Sequence, residues 1–280
     1  MKAELFLDAR ARLAEGPVYD ETAGLLYWVD IERKAVHVTD PATAADAVRP
    51  APSRVGMLCL TETGELYAAL EDGLYLWEDG RFERKTRLPG KEGVRSNDGG
   101  CDAKGRLWLG TMAVDGTPKA GSLYRITGGE CREMLQSVSC SNGLCFSHDN
   151  RFLYYIDTPS GKLWRFDFDL ETGSLENRTA IIDYTGEQGG FDGMTIDREG
   201  QLWIAQWGGW QISAWDPQTG KKQAQIEVPA PNVSCCAFGG RDFQTLYITT
   251  AYTEGCPGSG KLYACRDTGA FGVPAYRYRP

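Results

Sequence analysis

Four short stretches carry most of the oxygen chemistry in this chain: EGPVYD, NDGGCD, NGLCFS and DGMTID, which begin at Glu15, Asn97, Asn142 and Asp192. Each opens on a carboxylate or a carboxamide and runs into a glycine-rich or apolar segment. Two carboxylates and two carboxamides brought to one point make a set of hard oxygen donors. Such a set suits Ca2+, Mg2+, Mn2+ or, with less selectivity, Zn2+. Asn and Asp also favour the turns that lead into strands, where the side chain bonds its own backbone and no metal is needed. Both readings stand until the fold shows whether the four positions superpose.

The elements that would superpose them recur along the chain. DETAGLLYWVD, TETGELYAAL, DAKGRLWLGT, HDNRFLYYID, DREGQLWIAQ and RDFQTLYITT share a turn followed by a leucine, an aromatic and an apolar pair. Their anchor leucines are Leu26, Leu66, Leu107, Leu153, Leu202 and Leu246, a spacing of roughly 40 to 50 residues, which is that of propeller blades. Most are followed by a second short strand: KAVHVTD, GLYLWED, GSLYRIT, GKLWRFDFD, WQISAWDP and GKLYACR. No segment sustains a 3.6-residue apolar period, so almost no helix is expected.

The sequence therefore predicts an all-β chain in which residues 1–280 form a single six-bladed β-propeller, with four antiparallel strands per blade. AELFLDAR precedes the first inner strand and has no blade of its own, so it is expected to close the ring as the outer strand of the last blade. Superposed repeats bring the starts of the innermost strands together around the channel. Glu15, Asn97, Asn142 and Asp192 would then converge, with Val55 and Ser234 as the approximate equivalents in the other two blades.

Composition narrows the partners. A hydrophobic share of 42% and a charged share of 24%, with no apolar run near the length of a bilayer, describe a globular chain and no membrane partner. MKAELFLDAR carries Glu4 and Asp8 and lacks the apolar region of a secretory signal, so a cytoplasmic location is expected. A net charge of −8 without a Lys/Arg cluster argues against nucleic acid. No obligatory protein partner is indicated. The nine cysteines contain no C-x-x-C pair, and Cys59, Cys101, Cys145, Cys235 and Cys236 lie in apolar runs, as buried free thiols do.

Other chemistries fare worse. GCPGSGKL matches a phosphate-binding loop as far as Lys261, but Leu262 stands where a Ser or Thr would bind Mg2+, and a strand follows instead of a helix. With only His37 and His148, both near turns or strand edges, neither a histidine-ligated metal nor a base for a serine or cysteine nucleophile is at hand.

LAEGPVYD, RSNDGGCDAKGRLWLGTM, CSNGLCFSHDNRFLYYID, FDGMTIDREGQLWIAQWGG and CAFGGRDFQTLYITTA resemble, in order and spacing, segments of the gluconolactonase family that includes regucalcin and luciferin-regenerating enzyme. The resemblance spans about Leu13 to Cys265. It implies a six-bladed propeller with one divalent metal cation at the channel mouth, hydrolysing lactones of sugar acids, so that the partner is a small-molecule sugar lactone. By position it implies Glu15, Asn142 and Asp192 as metal ligands and Arg95 and Asn97 as a substrate-binding Arg-x-Asn pair. Asp115, in GTMAVDG, falls near a glutamate that contacts the sugar in regucalcin-like members, though the residue is shorter and the loop AVDGTPKAG is short.

With the family in view, Asp192 reads as the base for the attacking water and the metal as the group that polarises the carbonyl. Two other readings keep the propeller. One is a non-catalytic protein-binding propeller, since LYWVD and LYYID echo receptor blades; it requires an apolar or aromatic rim patch and no metal-dependent activity. The other is a metal-dependent phosphotriesterase or arylesterase, whose sites usually add a histidine or a second metal.

Overall fold

Each repeat becomes a sheet because the leucine of its turn-plus-strand unit is driven into the space between neighbouring sheets. Five of the six anchor leucines are completely buried and Leu66 nearly so; full burial of such a side chain contributes about 1.5–3 kcal/mol. In the third and fifth repeats the turn ahead of the leucine is held by its aspartate. Asp102 accepts from the backbone N–H groups of Lys104 and Arg106 and from the indole of Trp108, and Asp197 accepts equivalently from Glu199, Gln201 and Trp203.

The computed structural model describes residues Met1–Pro280 as six four-stranded antiparallel sheets. The inner strands are Ala14–Asp20, Val55–Leu60, Val94–Cys101, Ser141–Phe146, Gly190–Ile196 and Val233–Gly239, which number the blades one to six. The anchor leucines lie on the second strand of every blade. The one helical element is a 3-10 turn over Thr158–Ser160. No helix is long and apolar enough to cross a membrane. GCPGSGKL is a turn leading into the strand Leu262–Cys265, and all nine cysteines are unpaired.

The ring closes as the sequence predicts. Glu4–Leu7 pairs antiparallel with Leu262–Cys265 and becomes the outer strand of blade 6, with Glu4 opposite Ala264. Beyond that strand the chain crosses the far face of the propeller, where the Tyr278 N–H donates to the Leu60 carbonyl and the Arg279 N–H to the Gly105 carbonyl. This tail closes over a cavity of about 630 Å³ in the central channel.

Ladder register corrects one equivalence. The cross-strand partners of the anchor leucines are Tyr19, Leu60, Cys101, Phe146, Ile196 and Phe238. Four residues upstream of each lie Glu15, Gly56, Asn97, Asn142, Asp192 and Ser234. The blade 2 equivalent is therefore Gly56 and not Val55. A Cβ on Gly56 would stand 2.4 Å from the Asn97 carbonyl oxygen, so blade 2 gives up a side chain to let blade 3 approach.

Candidate functional site at the channel mouth

All six inner strands break register at this level, each skipping one or two residues in its pairing with the second strand. Such bulges re-aim side chains, and here they serve the start of every inner strand. Glu15, Arg95, Asn97, Asn142 and Asp192 are all buried. Ser234 also sits at this level but turns sideways, donating to the Ala14 carbonyl and bonding Thr249. Blades 2 and 6 thus contribute no side-chain group to the ring.

The amides form a chain of hydrogen bonds. Arg95 Nη1 donates to the Ser96 carbonyl at 2.9 Å and to Oδ1 of Asn97 at 2.7 Å. Asn97 Nδ2 donates to the Ser141 carbonyl at 2.7 Å and to Oδ1 of Asn142 at 2.9 Å. Asn142 Nδ2 donates to Thr158 Oγ1 at 2.8 Å, and Thr158 passes the chain to the Phe191 carbonyl, next to Asp192. Blades 3, 4 and 5 are tied together at the mouth by this relay.

The carboxylates are poorly compensated. Burial first, and then the charge of Asp98, push the Glu15 carboxyl up to about 8, against smaller help from the Gly16 N–H and Arg95. Burial, Glu15 and Asp98 in that order push Asp192 well above the usual carboxylate range. Arg95 spends its Nη1 on a carbonyl and an amide, not on either carboxylate. Two buried acidic groups with no hydrogen-bonded cation are costly, and a hard divalent cation would supply the missing countercharge. No group of three or more His, Cys, Asp or Glu side chains is placed to hold a metal ion by itself. The donor set is therefore two carboxylates and amide oxygens, which fits a cation whose remaining positions are filled by water or substrate.

Asp98 escapes a reading of the sequence. It lies beneath the ring and faces the central cavity, and burial raises its carboxyl to about 6. A signal was present: the residue after the oxygen-bearing position is glycine in blades 1, 4 and 5, as Gly16, Gly143 and Gly193, and aspartate only in blade 3. Asp115 makes no hydrogen bond to these residues. It is exposed on its hairpin loop, where Oδ1 accepts from the Thr117 N–H at 2.9 Å. His37 bonds Asp46 and stacks on Trp28, and His148 bonds the Asp197 carbonyl from a turn, so neither faces the ring.

The family model described as "SMP-30/Gluconolactonase/LRE-like region" matches residues 13–252. The chain belongs to the SMP-30/gluconolactonase/LRE-like family. Among relatives in that family, "Putative sugar lactone lactonase YvrE" of Bacillus subtilis (strain 168) is 40% identical over 255 residues, covering 90% of this chain and 87% of its own. Regucalcin of Oryctolagus cuniculus is 32% identical over 295 residues, covering 99% and 98%. Of solved structures, the calcium-binding protein regucalcin of Agrobacterium tumefaciens str. C58 superposes with a TM-score of 0.94 at 29% identity, covering 100% of this chain and 98% of that one. The family region takes in all of Glu15, Arg95, Asn97, Asn142 and Asp192.

Proposed function

We propose that this protein hydrolyses lactones of sugar acids with the help of one divalent cation held by Glu15, Asn142 and Asp192. The observation that carries the reading is the pair of buried, poorly compensated carboxylates beside the Arg95–Asn97–Asn142 relay. Family membership and the lactonase named among the relatives support the reaction class, and the calcium-binding relative supports the cation. The chain is a gluconolactonase-like carboxylic ester hydrolase, and its substrate is a small-molecule lactone.

A lactone is a cyclic ester, so opening it needs a nucleophilic water and relief of the charge that gathers on the carbonyl oxygen. A bound divalent cation would supply a Lewis acid for that oxygen. Asp192 takes the proton from the water as its oxygen bonds to the carbonyl carbon, and the proton goes to the ring oxygen as the ring C–O bond breaks. Arg95 keeps its Nε and Nη2 hydrogens free of protein acceptors, so they can donate to substrate hydroxyls in a fixed fork. Asn97, locked at both ends of its amide, holds that fork in place. No role is assigned to Asp115.

A pH-indicator assay with five- and six-carbon aldonolactones tests the reading. Chelation followed by dialysis should abolish the activity, and about one equivalent of a divalent cation should restore it. Full activity in a preparation verified to be free of metal would overturn the proposal.

A further inference from the structure

Two of the chain's eight tryptophans stand in one four-residue turn, Trp207-Gly208-Gly209-Trp210, and both are exposed, at 40% and 43%. Trp207 pairs across the ladder with Gly190, two residues ahead of Asp192. A cross-strand step of about 5 Å and a two-residue step of about 6.6 Å place the Cα atoms of Trp207 and Asp192 about 8 Å apart. Both residues lie at the mouth end of blade 5, Asp192 near the start of its inner strand and Trp207 at the end of its second strand. Phe191, between Gly190 and Asp192, stacks on Tyr184.

The wall continues across blade 6. Trp207 bridges to Asn232, whose carbonyl accepts from the Ala251 N–H and whose Nδ2 donates to Thr253 Oγ1. Tyr252, 46% exposed, lies under the Arg12 guanidinium at 4.5 Å. Leu13, two residues ahead of Glu15, bridges to Ala251. These backbone pairings place exposed Trp207 and Tyr252 along the flank between Asp192 and Glu15 over blade 6, where Ser234 has turned away. Arg95 and Asn97 stand on blade 3, directly opposite. Trp210 is held at φ 59°, with its N–H on the Pro231 carbonyl and its carbonyl on the Val228 N–H. A left-handed backbone at a bulky residue costs about 1 kcal/mol or more, so the ring is displayed by a fixed support.

We infer that Trp207, Trp210 and Tyr252 form a second sugar-binding subsite, so that the preferred lactones carry a further glycosyl ring. Rings of this kind offer a flat apolar surface to the C–H face of a sugar. The Asn232 amide, the Thr253 hydroxyl and the Arg12 guanidinium between them match its hydroxyls, which an aryl group would not use. A lactone ring gripped by Arg95 on blade 3 would extend its substituent across the mouth onto blade 6. The inference rests on the lactonase reading and deepens it.

The test compares glucono-1,5-lactone with lactobiono-1,5-lactone, which bears a galactosyl ring, in wild type, Trp207→Ala and Trp210→Gly. Glycine is at ease at φ 59°, so the second variant loses the ring without straining the fold. Each variant should lower kcat/KM for the disaccharide lactone about tenfold or more through KM, the scale of losing an aromatic anchor, while the monosaccharide lactone changes less than about threefold. Equal losses on both lactones, or no loss on either, would overturn the subsite; the second outcome would hand the exposed aromatic residues to a protein partner. If wild type opens neither lactone, quenching of tryptophan fluorescence by lactobionate decides independently. Quenching that Trp210→Gly weakens sustains the sugar site although the lactonase reading fails, and no quenching removes both.

Discussion

Asn97 donates from Nδ2 to Oδ1 of Asn142 at 2.9 Å, across the junction of blades 3 and 4. The bond fixes which end of the Asn142 amide is available, because its Nδ2 is committed to Thr158. One lone pair of Oδ1 remains for a cation. Asn97→Ala should therefore weaken divalent binding roughly tenfold, the scale on which lost supporting partners act, although Asn97 is not itself a ligand. Calorimetric titration with Ca2+ and Mn2+ checks this, and an unchanged Kd for both would show that Asn142 needs no such support.

Arg95→Ala should raise KM for the best lactone while a divalent cation still binds. The expected loss in kcat/KM corresponds to roughly 1.5–3 kcal/mol, the range for hydrogen bonds to a charged group. Steady-state kinetics at saturating cation measure it. An unaltered kcat/KM would leave Arg95 a support for Asn97 only.

Asp192→Asn keeps the size of the side chain and one coordinating oxygen but removes the base and a unit of charge. At saturating cation kcat should stay about 10²- to 10⁴-fold low, the span for loss of a positioned base. The readout is kcat against metal concentration on folded protein. Recovery of the wild-type rate as metal rises would reduce Asp192 to a ligand.

Stability should depend on pH in a direction set by the same carboxylates. Glu15 is raised from an ordinary 4.5 to about 8 and Asp98 from 3.8 to about 6. The folded state then holds protons that the unfolded chain has released, so the contribution is complete below about pH 4 and is lost as pH climbs through about 6 and then about 8. Metal-free protein should melt at progressively lower temperature from pH 4 to 8, Asp98→Asn should flatten the lower part of that fall, and a divalent cation should flatten the upper part. Melting curves that rise over this window would show that these groups are ionised in the fold without penalty.

The blades were legible in the sequence because a polar turn, the anchor leucine and strand alternation are local signals, repeated six times, even where Thr61 stands for the turn aspartate in blade 2. So were the four oxygen-bearing positions, which recur ten or eleven residues ahead of those leucines. What could not be seen depends on three dimensions. Gly56 has no functional side chain to notice, and only the approach of the Asn97 backbone explains it. Asp98 hid behind Asn97 because its importance comes from depth in the channel and from the charges of Glu15 and Asp192 above it. Trp207 and Tyr252 share a flank through ladder partners far apart in sequence.

The pairing of Glu4–Leu7 with Leu262–Cys265 has a consequence for how the molecule is made. Blades 1 to 5 are meanders of neighbouring segments and can assemble while the chain lengthens, but the first strand is synthesised before its partner, with five blades in between. At roughly 5–20 residues per second it waits on the order of ten seconds or more as an unpaired edge. Closing so long a loop is also the least local event in the fold, and such contacts form late. Glu15 on blade 1 and Asp192 on blade 5 flank blade 6, the blade this seam completes, so the oxygen ring is gathered beside the least local contact in the fold.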